Sequence, residues 1–112
     1  MNHTQLEKSK VHDTVEMIEY VPHSVVSKTI VNKSTGSVSI LSFDAGEGMT
    51  EKISPFDSFI QVVEGNAEII IEERTFFLET GQCMIIPAHK SNCIKANERL
   101  KILITIIKSG YE

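Results

Sequence analysis

Few residues in this chain are equipped for chemistry, and the most informative are Lys52 and Ser54. They stand two apart in Met49-Thr50-Glu51-Lys52-Ile53-Ser54, so a strand there turns both side chains to one face. Ser58 and Asn92 add a hydroxyl and an amide, and His89 an imidazole two residues after Pro87. A lysine ammonium kept from water seeks an anion, and burial lowers its pKa toward the range of an acid or base. His89 reads as a loop residue; turned inward it would serve as a general base. Glu47, Glu51 and Asp57 are the nearby carboxylates. Alternation points Glu51 away from the Lys52 face, into solvent. No Gly-Lys-Ser/Thr phosphate loop and no Gly-x-Ser-x-Gly nucleophile turn occurs. Cys83 and Cys93 lack the further Cys or His that a zinc site needs. A disulfide between them is open; we read them as small buried hydrophobes on short apolar strands.

The elements that must position these residues are strands. Val25 to Val31 alternates and is rich in β-branched residues, and residues 32–36 close it as a turn into Ser37 to Phe43. Further strands are expected over residues 49–54, 58–63, 67–72, 75–78, 83–86, 91–96 and 100–108. That makes about ten short strands and no convincing helix; before them, residues 15–21 mix apolar and polar types. Such even spacing means a sandwich or a barrel. Ile102 to Ile107 and Ile69 to Ile71 are apolar on both faces. A strand with one wet face alternates, so these need a second cover, from an N-terminal strand or another subunit.

Composition bounds the function. The 112 residues suit one small domain, and 41% hydrophobic residues suffice for a core. We take residues 1–14, with His3 and His12, as a polar leader and 15–112 as the single domain; His23 falls in a surface turn. A net charge of −4 argues against nucleic acid or an anionic membrane as a partner. There is no apolar run of about 18 residues and no apolar signal segment, so a cytoplasmic location is expected by default.

The stretch from Gly46 to Asn97 resembles the two cupin motifs. In cupins the first is a Gly, five residues, His-x-His, three or four residues, Glu, six residues, Gly. The second is a Gly, five residues, Pro-x-Gly, two residues, His, three residues, Asn. Gly46, Gly65, Gly81, Pro87 and Asn97 match this spacing. The chemistry does not: Lys52 and Ser54 stand at the paired His, Ser58 at the Glu, and Asn92 at the second-motif His. Pro55-Phe56-Asp57 is similar to a branch of small single-domain cupins that keeps one His in each motif, and those two positions here are Lys52 and Asn92.

The resemblance implies an all-β, antiparallel double-sheet jelly-roll barrel with Lys52, Ser54, Ser58 and Asn92 lining its interior. A divalent transition metal wants imidazole, thiolate or carboxylate, and an ammonium repels it, so no metal and no cofactor are expected. The resulting expectation is a small, possibly anionic, molecule bound in the pocket. Lys52, Ser54, Ser58 and Asn92 would supply polar contacts, with His89 at the mouth and Met49, Phe56, Ile60 and Ile94 as apolar wall. One alternative is an isomerase-type or other small-molecule enzyme using Lys52 or His89 as acid or base. Some cupins epimerise nucleotide sugars without metal through a His–Asp pair, which here would need His89 and Asp57. Another alternative is a structural or interaction dimer with a vestigial pocket. Cupins of this size commonly pair through one sheet, so a homodimer is expected.

Overall fold

Alternating β-branched residues bounded by turn residues set nine strands in the computed structural model, which describes residues 6–108; His3 and the start of the leader lie outside the described residues. In chain order these are β1 (Val25–Lys33), β2 (Gly36–Phe43), β3 (Gly48–Lys52), β4 (Ser58–Glu64), β5 (Asn66–Ile71), β6 (Arg74–Glu79), β7 (Cys83–Ile86), β8 (Asn92–Lys95) and β9 (Leu100–Ile107). Nine strands among the described residues stand against the roughly ten expected. Thr14–Glu16 is a single 3-10 turn, and the chain after it is irregular up to β1. Gly65 shows why the turns fall where they do: it joins β4 to β5 at φ 99°, and a Cβ there would run into the Arg99 carbonyl.

The strands form two antiparallel sheets, ordered β1-β2-β9-β4-β7 and β3-β8-β5-β6. The closed jelly-roll barrel expected from the sequence is not formed. Neither sheet closes on itself, and β1, β7, β3 and β6 are edges. Closure needs every strand laddered on both sides. β3 pairs only through Gly48, Met49 and Lys52, across a register shift, and β7 has four residues. Strand rhythm counts strands but is silent on which edges join. The result is two open sheets packed face to face.

Alternation decides what goes between them. Phe43, Ile60, Ile69, Ile94, Leu100 and Ile102 are fully buried there, each contributing roughly 1.5–3 kcal/mol. β9 sends Leu100, Ile102 and Ile104 inward and Lys101, Leu103 and Thr105 to the outer face of the larger sheet. That outer face is covered at one end from within the chain. Lys101 Nζ donates to the Val15 carbonyl, Lys28 Nζ to Met17 (3.3 Å) and Ser42 Oγ to Glu19 (2.8 Å), strapping residues 15–19 across β1, β2 and β9. Ile40 beneath is 0% exposed although it lies outside the inner core. The other end is open: Val31, Val38, Thr105, Phe59 and Ile85 form one cross-strand row, and Val31, Phe59, Ile85 and nearby Ile107 are exposed. Among the described residues no helix is long and apolar enough to cross a membrane.

Both cysteines are free; Cys93 is half-buried and Cys83 exposed. Reading both as buried is therefore corrected for Cys83, which faces outward opposite Gln61 on the edge strand β7.

Candidate functional site between the sheets

The candidate site forms where β3 ends and β4 and β8 begin. Lys52 is the last residue of β3 and Asn92 the first of β8, and the two are direct cross-strand partners. Ser58 opens β4 opposite Ile86 and Ile106, and Ser54 lies in the bend between β3 and β4. These four polar residues cap a cavity of about 240 Å³. Its apolar wall is Ile60, Ile86, Ile94, Ile104 and Ile106, drawn from both sheets.

The electrostatics are unbalanced. Lys52 is exposed, yet partial desolvation pushes its ammonium below the ordinary lysine value of 10.5. Among the described residues no carboxylate pairs with it. Glu51, turned away by alternation, instead accepts a short bond from the Ser91 hydroxyl. Asn92 is 3% exposed and donates through Nδ2 to the carbonyls of Lys90 (3.1 Å) and Lys52 (3.3 Å). Its Oδ1 is buried with no donor among the described residues. Ser54 Oγ accepts the Phe56 N–H (3.1 Å), which shapes the bend and leaves the hydroxyl hydrogen free to donate.

Of the expected site residues, the fold gathers Lys52, Ser54, Ser58, Asn92, Ile60 and Ile94 around one cavity. Met49 packs on the core opposite Ile94 and borders a surface groove instead. Phe56 is half-buried in the bend, outside the cavity lining. His89 is exposed at φ 67°, and its backbone N–H, not its ring, reaches the site by donating to the Ser54 carbonyl (2.7 Å). Asp57 holds the same loop through the Ala88 N–H (2.7 Å). Ile86, Ile104 and Ile106 were not foreseen as walls. The alternation of Ile102, Ile104 and Ile106 in one strand was the available signal for two of them.

A wider, more open groove of about 840 Å³ runs between the edge strands β6 and β7. Some of its charges already have company: Lys90 lies 3.9 Å from Glu72, and Arg74 stacks over Phe76. The smaller cavity holds the Lys52 ammonium, which has no carboxylate partner among the described residues. Its ammonium, hydroxyls and amide do not fit a divalent transition metal. Among the described residues no three His, Cys, Asp or Glu side chains gather to hold one.

No protein-family model and no curated protein matches the chain. Solved structures do. A conserved protein of unknown function from Streptococcus pyogenes is 26% identical, with 96% of each chain covered and a TM-score of 0.88. A cupin superfamily protein from Desulfitobacterium hafniense is 22% identical over 94% of this chain and 95% of that one, TM-score 0.84. A Cupin 2 conserved barrel domain protein from Leptotrichia buccalis is 26% identical over 84% of this chain and 46% of its own, TM-score 0.81.

Proposed function

We propose that this chain, which belongs by its fold to the cupin superfamily, binds a small anionic molecule between its sheets, with Lys52 as the positive centre. The observation that carries this reading is the desolvated Lys52 ammonium, without a carboxylate partner, among Ser54, Ser58 and Asn92 over five isoleucines. A partly desolvated cation gains from a counter-charge, and a bound anion supplies it. The test is a thermal-shift screen of small carboxylates on the wild type and on Lys52→Met. A ligand at 100 times its Kd adds roughly 2.7 kcal/mol, so a hit raises Tm in the wild type only. A blank screen, or an equal shift in the variant, defeats the reading.

The lowered Lys52 pKa favours a second reading, an isomerase-type enzyme in which Lys52 moves a proton. Turnover of a ligand found by the screen separates binder from enzyme. His89 has less claim to that role, since its ring is exposed outside the cavity.

The remaining parts of the reading concern context. We take the exposed row Val31, Phe59 and Ile85 as a homodimer face, because paired sheets would cover it with two-fold symmetry. Light scattering of wild type and Phe59→Lys tests this; a wild type of monomer mass at micromolar concentration overturns it. Residues 15–112 as the domain, 1–14 as leader and a cytoplasmic setting complete the proposal, and limited proteolysis cutting ahead of residue 15 checks the boundary.

A further inference from the structure

We infer that the cavity takes a short aliphatic monocarboxylate, head to Lys52 and tail toward the core, and discriminates against dicarboxylates. This rests on the anion-binding reading above and names the class of anion. Charge limits the head group. Among the described residues, Lys52 is the one charged residue lining the cavity. Ser54 and Ser58 add hydroxyls, which donate to a carboxylate but carry no charge of their own. Asn92 adds nothing for a ligand: its Nδ2 is held by the Lys90 and Lys52 carbonyls, and its Oδ1 is buried. One ammonium balances one carboxylate. A second carboxylate carried inward would meet isoleucine, where an ion loses its hydration and finds no counter-charge.

The strands set the direction and length of the tail. On β4 the inward face passes from Ser58 to Ile60, and on β8 from Asn92 to Ile94. These strands lie in opposite sheets, and each changes from polar to apolar over a two-residue step of roughly 6.6 Å. Ile106 stands opposite Ser58 and Ile104 opposite Ile60, so β9 carries the wall inward beside them. Ile106 is half-buried, Ile104 is 7% and Ile86 4% exposed, and Ile60 and Ile94, at 1%, close the floor. A tail laid against Ile106, Ile104 and Ile86 leaves water and stops at that floor. A volume of about 240 Å³, at roughly 30 Å³ per water, holds about eight non-hydrogen atoms, a carboxyl group and about five further carbons.

Calorimetric titration of the full chain with acetate, propanoate, butanoate, pentanoate and octanoate, and with succinate, tests both limits. Each methylene from acetate to pentanoate is expected to tighten binding roughly fourfold, the effect of one buried CH₂. Octanoate, which overruns the floor, and succinate, with its second charge, are expected to bind at least roughly tenfold more weakly than pentanoate. Ile106→Ser should shrink the gain per methylene and leave acetate binding unchanged; if this variant does not fold, the wild-type series still decides. An affinity that ignores chain length, a gain untouched by Ile106→Ser, or succinate or octanoate bound as tightly as pentanoate overturns the inference and leaves the anion reading intact. Pentanoate bound equally well by Lys52→Met sinks the anion reading and the inference with it. If none of the acids binds, the inference falls, and the anion reading falls with it only if the wider carboxylate screen is also blank.

Discussion

Lys101 and Lys52 are two lysines that this fold treats oppositely: the first is buried, the second exposed with its ammonium partly desolvated. Lys101 lies on the outer face of the larger sheet at 8% exposure. Its ammonium donates to the Val15 carbonyl, stands 3.9 Å from Glu64 and lies 4.8 Å from the Tyr20 ring centroid. Tyr20 in turn donates to the same Glu64 carboxylate at 2.6 Å, and burial with that bond raises its pKa. The residue 15–20 strap is thus built around a satisfied cation. Lys52 has the same side chain and none of these partners. The fold satisfies the buried lysine fully and, among the described residues, gives the exposed one no carboxylate.

The comparison predicts opposite mutational signs. Lys101→Met should lower stability by roughly 2 kcal/mol in urea denaturation, because it removes a charged hydrogen bond and unties the strap. A neutral result would mean that the strap is not held by Lys101. Tyr20→Phe deletes only the hydroxyl bond to a partly solvated Glu64, so a loss of about 1 kcal/mol is expected by the same measurement. Lys52→Met should instead leave stability unchanged or raise it slightly, since solvent still screens most of the cost of an exposed, partly desolvated charge at the rim of an isoleucine-walled cavity. A clear loss would show that Lys52 has a structural partner after all, and would collapse the contrast.

The smallest effects are pH-dependent. The folded-state pKa of Lys52 lies below 10.5, so between that pKa and 10.5 the unfolded chain binds more protons and stability rises with pH. The penalty is fully present below the folded pKa and gone above 10.5. Lys52→Met should lack this alkaline rise, and a bound carboxylate should abolish it in the wild type. At the acid end, the backbone N–H of His23 and then Arg99 lower the Asp44 carboxyl from 3.8 to about 2. Its contribution is present above 3.8 and lost as pH falls through about 2, so Asp44→Asn should flatten that limb of the stability curve.

How much of this was legible in the sequence differs by residue. Alternation alone separated Lys52 and Ser54 from Glu51, and Glu51 does turn away, to Ser91. The turn glycines Gly46, Gly65 and Gly81 all take positive φ, as strand-bounding glycines are free to do. The residue types at 52, 54, 58 and 92 already argued against a metal set. These properties are local, written in side-chain chemistry and a period of two. Other features depend on contacts between residues far apart in the chain. Whether the sheets close depends on which edges meet, and they stay open. The strap over Lys101 joins residue 15 to residue 101, a pairing with no periodic trace. His89 was near the site in sequence, but its positive φ and exposure keep the ring out of the cavity lining. The bare Oδ1 of Asn92 exists because Lys52 and Lys90 carbonyls converge on its nitrogen. Period and composition therefore determined the strands and the faces of their side chains, because those follow from backbone geometry one residue at a time. Only tertiary structure decided which polar groups find partners, because satisfaction depends on atoms brought together from distant strands.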